Sequence, residues 1–240
     1  MRFYIPLPLS AGTDISLPDE ASHHLLRVLR AQVGDSFVLF NGDGGEFDAT
    51  LTEAGKKSAR VHIGTFRPDD RESPLHTHLG QVMSRGERMD YAIQKATELG
   101  VSVITPLTSE RCELKLRGEE RADKKLEHWR RIAIAACEQC GRNRLPVIHA
   151  PQSLAEWLAS SSASLRLVLA PTAGDALPAS RDTTSAALLI GPEGGLSAAE
   201  IAGAQAAGFL CWQIGPRVFR TETAPVAALA LLQARFGDFR

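Results

Sequence analysis

Leu188-Leu189-Ile190-Gly191-Pro192-Glu193-Gly194-Gly195-Leu196-Ser197-Ala198-Ala199-Glu200 is the stretch on which the fold turns. The apolar residues read as a strand end and the Gly-Pro and Gly-Gly pairs as a turn. Ser197, with Glu200 three residues on, reads as the capping box that opens a helix. A strand feeding a helix through a tight turn is a building block of a parallel sheet flanked by helices. In such sheets ligands bind at the carboxyl ends of strands, and glycines let backbone amides approach them closely. A plain strand–turn–helix connection fits the spacing equally well.

A second turn of the same kind follows in Gln213-Ile214-Gly215-Pro216-Arg217-Val218-Phe219-Arg220-Thr221-Glu222-Thr223-Ala224-Pro225. Thr221 or Thr223 can cap the last helix, and Glu222 in its first turn complements the dipole. Capping accounts for the threonines but not for two arginines beside an apolar turn. Two Gly-Pro loops at two strand ends predict one shared pocket.

Upstream, the alternation predicts strands near 76–83, 102–107, 146–149, 165–170, 186–190 and 210–214. It predicts helices near 87–99, 121–140, 153–160, 197–207 and 223–236. Arg67-Pro68-Asp69-Asp70-Arg71-Glu72-Ser73-Pro74 is polar, bounded by prolines and aperiodic, and reads as a linker. Before it the chain reads as β: Arg2–Leu7, Phe37–Phe40, Glu46–Glu53 and Ala59–Phe66, with a glycine-rich hairpin at 41–45. One helix is expected about Asp19–Arg30, with Leu25, Leu26, Val28 and Leu29 on its apolar side. Short strands with close turns suggest a small barrel. The expected domains are therefore 1–72 and 73–240.

Composition narrows the function. With 44% apolar and 23% charged residues, the chain of 240 is neither disordered nor fibrous. No stretch offers the ~20 strongly apolar residues of a membrane span. The opening MRFYIPLPLS lacks a cationic region followed by an apolar one, so no secretory signal is expected. Four cysteines, at 112, 137, 140 and 211, are too sparse for a disulfide framework and point to reduced thiols in the cytoplasm. A net charge of −1 excludes a globally basic nucleic-acid binder, yet residues 111–144 hold ten Lys/Arg against six Asp/Glu. A concentrated patch of that kind can bind phosphate.

Two further segments stand out. Ile132–Arg144 contains Cys137-x-x-Cys140, but the pair ends a helix and lacks a second pair, which disfavours zinc and redox chemistry. Glu138, Gln139, Arg142, Asn143 and Arg144 read as a polar helix end facing RNA, or equally as a solvated C-terminus whose cations meet the dipole. Met83-Ser84-Arg85-Gly86-Glu87-Arg88-Met89-Asp90 joins a strand end to a helix start, with Lys95 and Glu98 beyond, and could be a surface salt-bridge set. The seven histidines show no ligand spacing, so no metal is expected, and neither a P-loop nor G-x-G-x-x-G occurs.

Taken together, these residues resemble one family, the bacterial small-subunit (16S) ribosomal RNA uridine-N3 methyltransferases. The likeness is carried by 78–87, Ile93-Gln94-Lys95 through Val101, Ile104-Thr105-Pro106, Ser109–Cys112, Glu138–Arg142, Leu189–Leu196 and Gly215–Thr223. It spans the whole chain, with Phe219 and Pro225 as mild departures. The resemblance implies a PUA-like RNA-binding β-barrel followed by a SPOUT α/β domain whose C-terminal trefoil knot binds S-adenosylmethionine. The implied cofactor contacts are Leu169, Ala170 and Pro171 (in the segment ending at Thr172), Ile190, Gly191, Pro192, Glu193, Gly194, Gly195, Ile214, Gly215, Val218, Phe219 and Thr221. It further implies a homodimer acting on 16S rRNA within the assembled 30S subunit, with Arg27, Arg30, Arg85, Arg88, Arg111, Arg142, Asn143 and Arg144 as RNA contacts. Uridine N3 must lose its proton before it can accept a methyl group, which calls for a base or for cations beside the uracil oxygens. Arg220 is favoured as the anion-stabilising group, with Glu138 or Glu222 as base. A non-catalytic ribosome-assembly factor, or a methyltransferase for another rRNA or tRNA position, are the alternatives.

Overall fold

The computed structural model describes residues 1–56, 58–114, 118–170, 177 and 182–240. Contacts divide the chain into two units. One is Met1–Glu72 with Cys137–Leu145, and the other is Ser73–Ala136 with Pro146–Arg240. The stretch 137–145, expected with the second domain, thus packs with the first unit.

The first unit carries β1 (Arg2–Tyr4), β2 (Asp14–Ser16), β3 (Ser36–Phe40), β4 (Glu46–Ala54) and β5 (Ala59–Arg67) in a sheet of order β1-β3-β4-β5-β2. All pairs are antiparallel except β1 with β3. Register shifts between Phe47 and Ala49 and between Leu51 and Glu53 mark bulges, which bend a strand. Phe3, Ile5, Leu25, Leu39, Leu51, Val61 and Ile63 fill its core.

Local chemistry explains the differences from expectation. β1 stops at Tyr4 rather than Leu7, because Pro6 and Pro8 cannot donate to a ladder. The helix expected over Asp19–Arg30 is α1 (Asp19–His23) followed by a π turn (His24–Val28), in which the Leu29 N–H bonds the His24 carbonyl. Leu25 is buried, but Val28 is 61% exposed. β2 offers three residues with no buried side chain, too weak a pattern to read.

In the second unit β6 (His76–Val82), β7 (Val103–Thr108), β8 (Val147–Ile148), β9 (Gln152–Ser153), β10 (Leu165–Leu169), β11 (Ser185–Ile190) and β12 (Leu210–Trp212) form one sheet. Its order is β12-β10-β11-β6-β7-β8, with β9 also on β7, and every pairing is parallel. The helices are α2 (Glu87–Glu98), α3 (Glu119–Cys140), α4 (Leu154–Ser160), α5 (Ala198–Ala206) and α6 (Thr223–Phe236). Serine–glutamate capping boxes start α4 and α5. Gly80 in the central strand lies under the Trp157 ring: a Cβ there would stand 2.6 Å from it. Among the described residues no helix is long and apolar enough to cross a membrane.

Candidate active site

Three strand ends of the second unit build one cleft of about 800 Å³. β11 runs into the turn Gly191–Leu196, closed by the Gly195 N–H on the Pro192 carbonyl at 2.9 Å. Gly195 sits at φ +69°, a left-handed conformation costly to any residue with a Cβ. Ser197 and Glu200 then cap α5, and the second Glu200 oxygen accepts the Glu110 N–H at 2.7 Å. The segment after β12, Gln213–Glu222, forms the facing wall and leads into α6. Thr221 ties the walls together by donating to the Gly191 carbonyl at 2.8 Å.

Leu169, Ala170, Ile190, Gly191, Pro192, Glu193, Gly194, Gly195, Ile214, Gly215, Val218, Phe219 and Thr221 all line this cleft, as do Arg220 and Glu222. Pro171 and Thr172 lie outside the described residues. The cleft also takes in Leu196, Ala198, Ile201, Trp212, Gln213, Arg217 and Ala224, which sequence reasoning did not single out as contacts. Ile201 follows Ser197 by one helical turn, a spacing that marks it as facing the same way.

Charge is placed unevenly around the rim. Arg88, from α2, donates to Glu193 at 2.8 Å, and the hydrogen bond and charge of Glu193 push its pKa up further. Arg111 donates to the Gly194 carbonyl at 2.9 Å. Both were expected at RNA; both are exposed and line the cleft. Arg217 and Arg220 are exposed and make no ion pair among the described residues. The Glu222 carboxylate has one oxygen, Oε2, that is buried without a hydrogen-bond partner among the described residues. Such an atom is costly unless a donor or cation reaches it. The cleft therefore offers apolar walls, glycine backbone and an unsatisfied carboxylate oxygen beside exposed guanidinium groups. Open space at Gly195 and Gly215, where a Cβ would meet nothing within 4 Å, leaves room against that backbone.

The end of α3 corrects the remaining expectations. Glu138 does not line the cleft; its carboxylate accepts the Tyr4 N–H at 2.9 Å within the first unit. Burial pushes its pKa up, against the opposing pull of that hydrogen bond. Arg142 is only 4% exposed and grips the Glu72 carboxylate through Nε and Nη2. Asn143 is fully buried, donating to the Asp69 carbonyl and accepting from Arg2, both at 2.7 Å. Neither side chain faces solvent, so neither is placed to meet RNA. Arg144 remains exposed, paired with Asp70 at 3.0 Å. Arg71 and Arg2 donate to the Gly141 and Arg142 carbonyls, satisfying groups that a helix end leaves bare. Burial pushes the Cys137 thiol up to about 12, so it stays protonated at neutral pH. Arg85 pairs with Glu113 at 3.4 Å, and both are exposed. Arg27 donates to the Lys56 carbonyl at 3.0 Å, and Arg30 is exposed with φ +55°. Among the described residues no group of three His, Cys, Asp or Glu could hold a metal ion.

The chain matches a family model described as an RNA methyltransferase domain over residues 71–233, and one described as an RNA methyltransferase PUA domain over 17–64. It is 38% identical to the ribosomal RNA small subunit methyltransferase E of Buchnera aphidicola, covering 99% of this chain and 97% of that protein. Two solved structures are similar throughout. A protein of Legionella pneumophila with the cofactor SAM bound is 43% identical, with a TM-score of 0.95, covering 99% of this chain and 98% of that one. The ribosomal RNA small subunit methyltransferase E of Neisseria gonorrhoeae, bound to S-adenosyl methionine, is 39% identical, with a TM-score of 0.92 and coverage of 100% and 99%.

Proposed function

The chain belongs to the RNA methyltransferase family, among the ribosomal RNA small subunit methyltransferases E, and on that premise we propose that it transfers a methyl group from S-adenosylmethionine to N3 of a uridine in 16S rRNA. The observation that carries the reading is the cleft itself, whose Gly191–Leu196 turn faces a loop that carries exposed Arg217 and Arg220 and, among the described residues, the unpartnered Glu222 Oε2. The residues fit the cofactor. Leu169, Ile190 and Ile214 supply apolar surface for a flat base, and the backbone of the Gly191–Leu196 turn approaches without side chains at 191, 194 and 195.

Bound S-adenosylmethionine supplies an electrophilic methyl carbon on a sulfonium; the work left to the chain is on the acceptor. Arg220 presents a permanently charged planar donor set to the uracil oxygens and stabilises the anion left when N3 loses its proton. Glu222 Oε2, buried and unpartnered, receives that proton. Glu138 drops out of this scheme, its carboxylate being held by Tyr4. The walls of the cleft would hold the two reactants in line.

The enzyme acts on the assembled 30S subunit in the cytoplasm as a homodimer, paired through the alanine-rich α6, whose Leu231 is exposed. Arg27 and Arg30 of the first unit and Arg85 of the second serve as phosphate contacts. The test is methyl transfer to unmodified 30S subunits, read by nucleoside mass spectrometry. 3-Methyluridine is expected. A different methylated nucleoside would move the site to another position, and binding without transfer would make the protein an assembly factor.

A further inference from the structure

One strand away from the cleft, Gln81 stands near the end of β6, opposite Ile190 of β11 in the sheet register, and is 1% exposed. Its Nε2 lies 3.1 Å from the Val82 carbonyl oxygen and 3.2 Å from Thr221 Oγ1. A carbonyl oxygen only accepts, so this end of the amide is the NH₂ and the group has one orientation. Thr221 Oγ1 carries a single proton, which the Gly191 carbonyl takes at 2.8 Å. Thr221 therefore accepts from Gln81, and Ser84 Oγ, at the longer 3.4 Å, can only donate to it as well. The Thr221 proton is thereby directed to Gly191, while the other end of the amide, Gln81 Oε1, is buried without a hydrogen-bond partner among the described residues.

The consequence reaches the cofactor wall. The Gly191 carbonyl belongs to the Gly191–Pro192 peptide, whose nitrogen carries no hydrogen, so that plane is held through its oxygen. The turn is closely folded there: a Cβ on Gly191 would stand 3.0 Å from Leu196 Cγ and 3.1 Å from Leu196 N. We propose that Gln81 is a positioning residue of the cleft, which by donating to Thr221 commits the Thr221 proton to Gly191 and locks the Gly191–Leu196 turn to the Gln213–Glu222 loop. Gln81 does not itself line the cleft and acts through Thr221. The proposal rests on the cofactor reading given above.

Gln81→Glu has nearly the same shape and reverses the hydrogen bond. As an anion it takes the Thr221 proton away from Gly191; as a neutral acid its one proton can donate to Thr221 again, while the Val82 carbonyl loses its donor. Burial raises a carboxyl pKa, which brings this change into an accessible range. Gln81→Met removes the donor at every pH. Hydrogen exchange of the 191–196 and 213–222 segments is measured on the ligand-free protein at pH 6 and pH 8, alongside calorimetric titration with S-adenosylmethionine. Each variant is compared with the parent at the same pH, because Glu193, Glu222, Arg88 and Arg220 around the cleft are common to both.

At pH 8 both variants exchange on the order of tenfold faster in these segments and bind on the order of tenfold more weakly. At pH 6 only Gln81→Glu recovers. Parent-like protection of Gln81→Glu at both pH values overturns the proposal, and so does an equal loss at both that extends to α2 and β7. A parent that binds no S-adenosylmethionine overturns the cofactor reading, while the exchange data still decide the role of Gln81.

Discussion

At the end of α3, Arg142 is buried and fixed on Glu72, and Arg2 lies between Glu46 and Asn143. In the loop before α6, Arg217 and Arg220 are exposed and pair with no carboxylate among the described residues. Both regions are arginine-rich segments at a helix end, and charge counting treats them alike. Their energetics differ. A buried guanidinium has given up its water for protein partners and cannot be lent to a ligand without leaving its carboxylate bare. An exposed guanidinium has made no such commitment, and its charge is available to whatever enters the cleft. The first region is committed to partners within the fold; in the second, two guanidinium groups stay exposed at the cleft.

The strongest way to break this contrast is Arg220→Ala. Removing one donor to a developing anion costs on the order of 10²–10³ in rate, so single-turnover methyl transfer should fall by that factor. Cofactor affinity and thermal stability should hold, and raising the pH should partly rescue the rate as more uridine ionises unaided. A variant with normal turnover, or one impaired only in cofactor binding, removes Arg220 from the chemistry.

Glu72→Ala tests the other side. It strands Arg142 in a site with little water, and urea unfolding should show a loss of about 2–3 kcal/mol, somewhat below a fully buried pair because Glu72 keeps a fifth of its side-chain surface. The salt dependence of 30S binding by Arg142→Ala should match that of the parent. A flattened salt slope would return Arg142 to the RNA surface.

The smallest effect is acidic. Burial pushes Glu46 up, but the hydrogen bond and charge of Arg2, with the charges of Arg67 and Arg71, outweigh it and hold its carboxyl below the usual range. The sign follows: this stabilisation is present above the unfolded pKa, about 4.3, and is lost as pH falls through the lower folded value. Unfolding measured from pH 5 downward should show a small extra acid sensitivity that Glu46→Gln abolishes. Equal acid profiles for both proteins would mean that Arg2 and Arg67 contribute nothing measurable through Glu46.

What could be read in the sequence follows the same division. The turns after β11 and β12 announced themselves, because glycine, proline and a Ser-x-x-Glu cap are local signals and the cleft is built from local turns. Arg142 and Asn143 were misplaced because their partners, Glu72, Asp69 and Arg2, lie about 70 to 140 residues away in the chain. Their burial is a tertiary fact with no local signature. Gln81 was hidden for a related reason. It sits in a strand of mixed polar and apolar residues, and only the neighbouring strand and the loop before α6 give its amide a purpose. The π turn at His24–Val28 escaped because its apolar residues fit a regular helix equally well.

The central position of β6 has a temporal consequence. One of its neighbours, β7, arrives soon after it, but the other, β11, is about 110 residues further along. Closing so long a loop costs entropy before any contact repays it, so the sheet's middle should assemble late and slowly. During synthesis β6 carries a bare edge until Ser185–Ile190 has left the ribosome. An unpaired strand edge is a template for association with other chains. The interval between translating residue 82 and residue 190 is therefore the period in which that edge of β6 stands open.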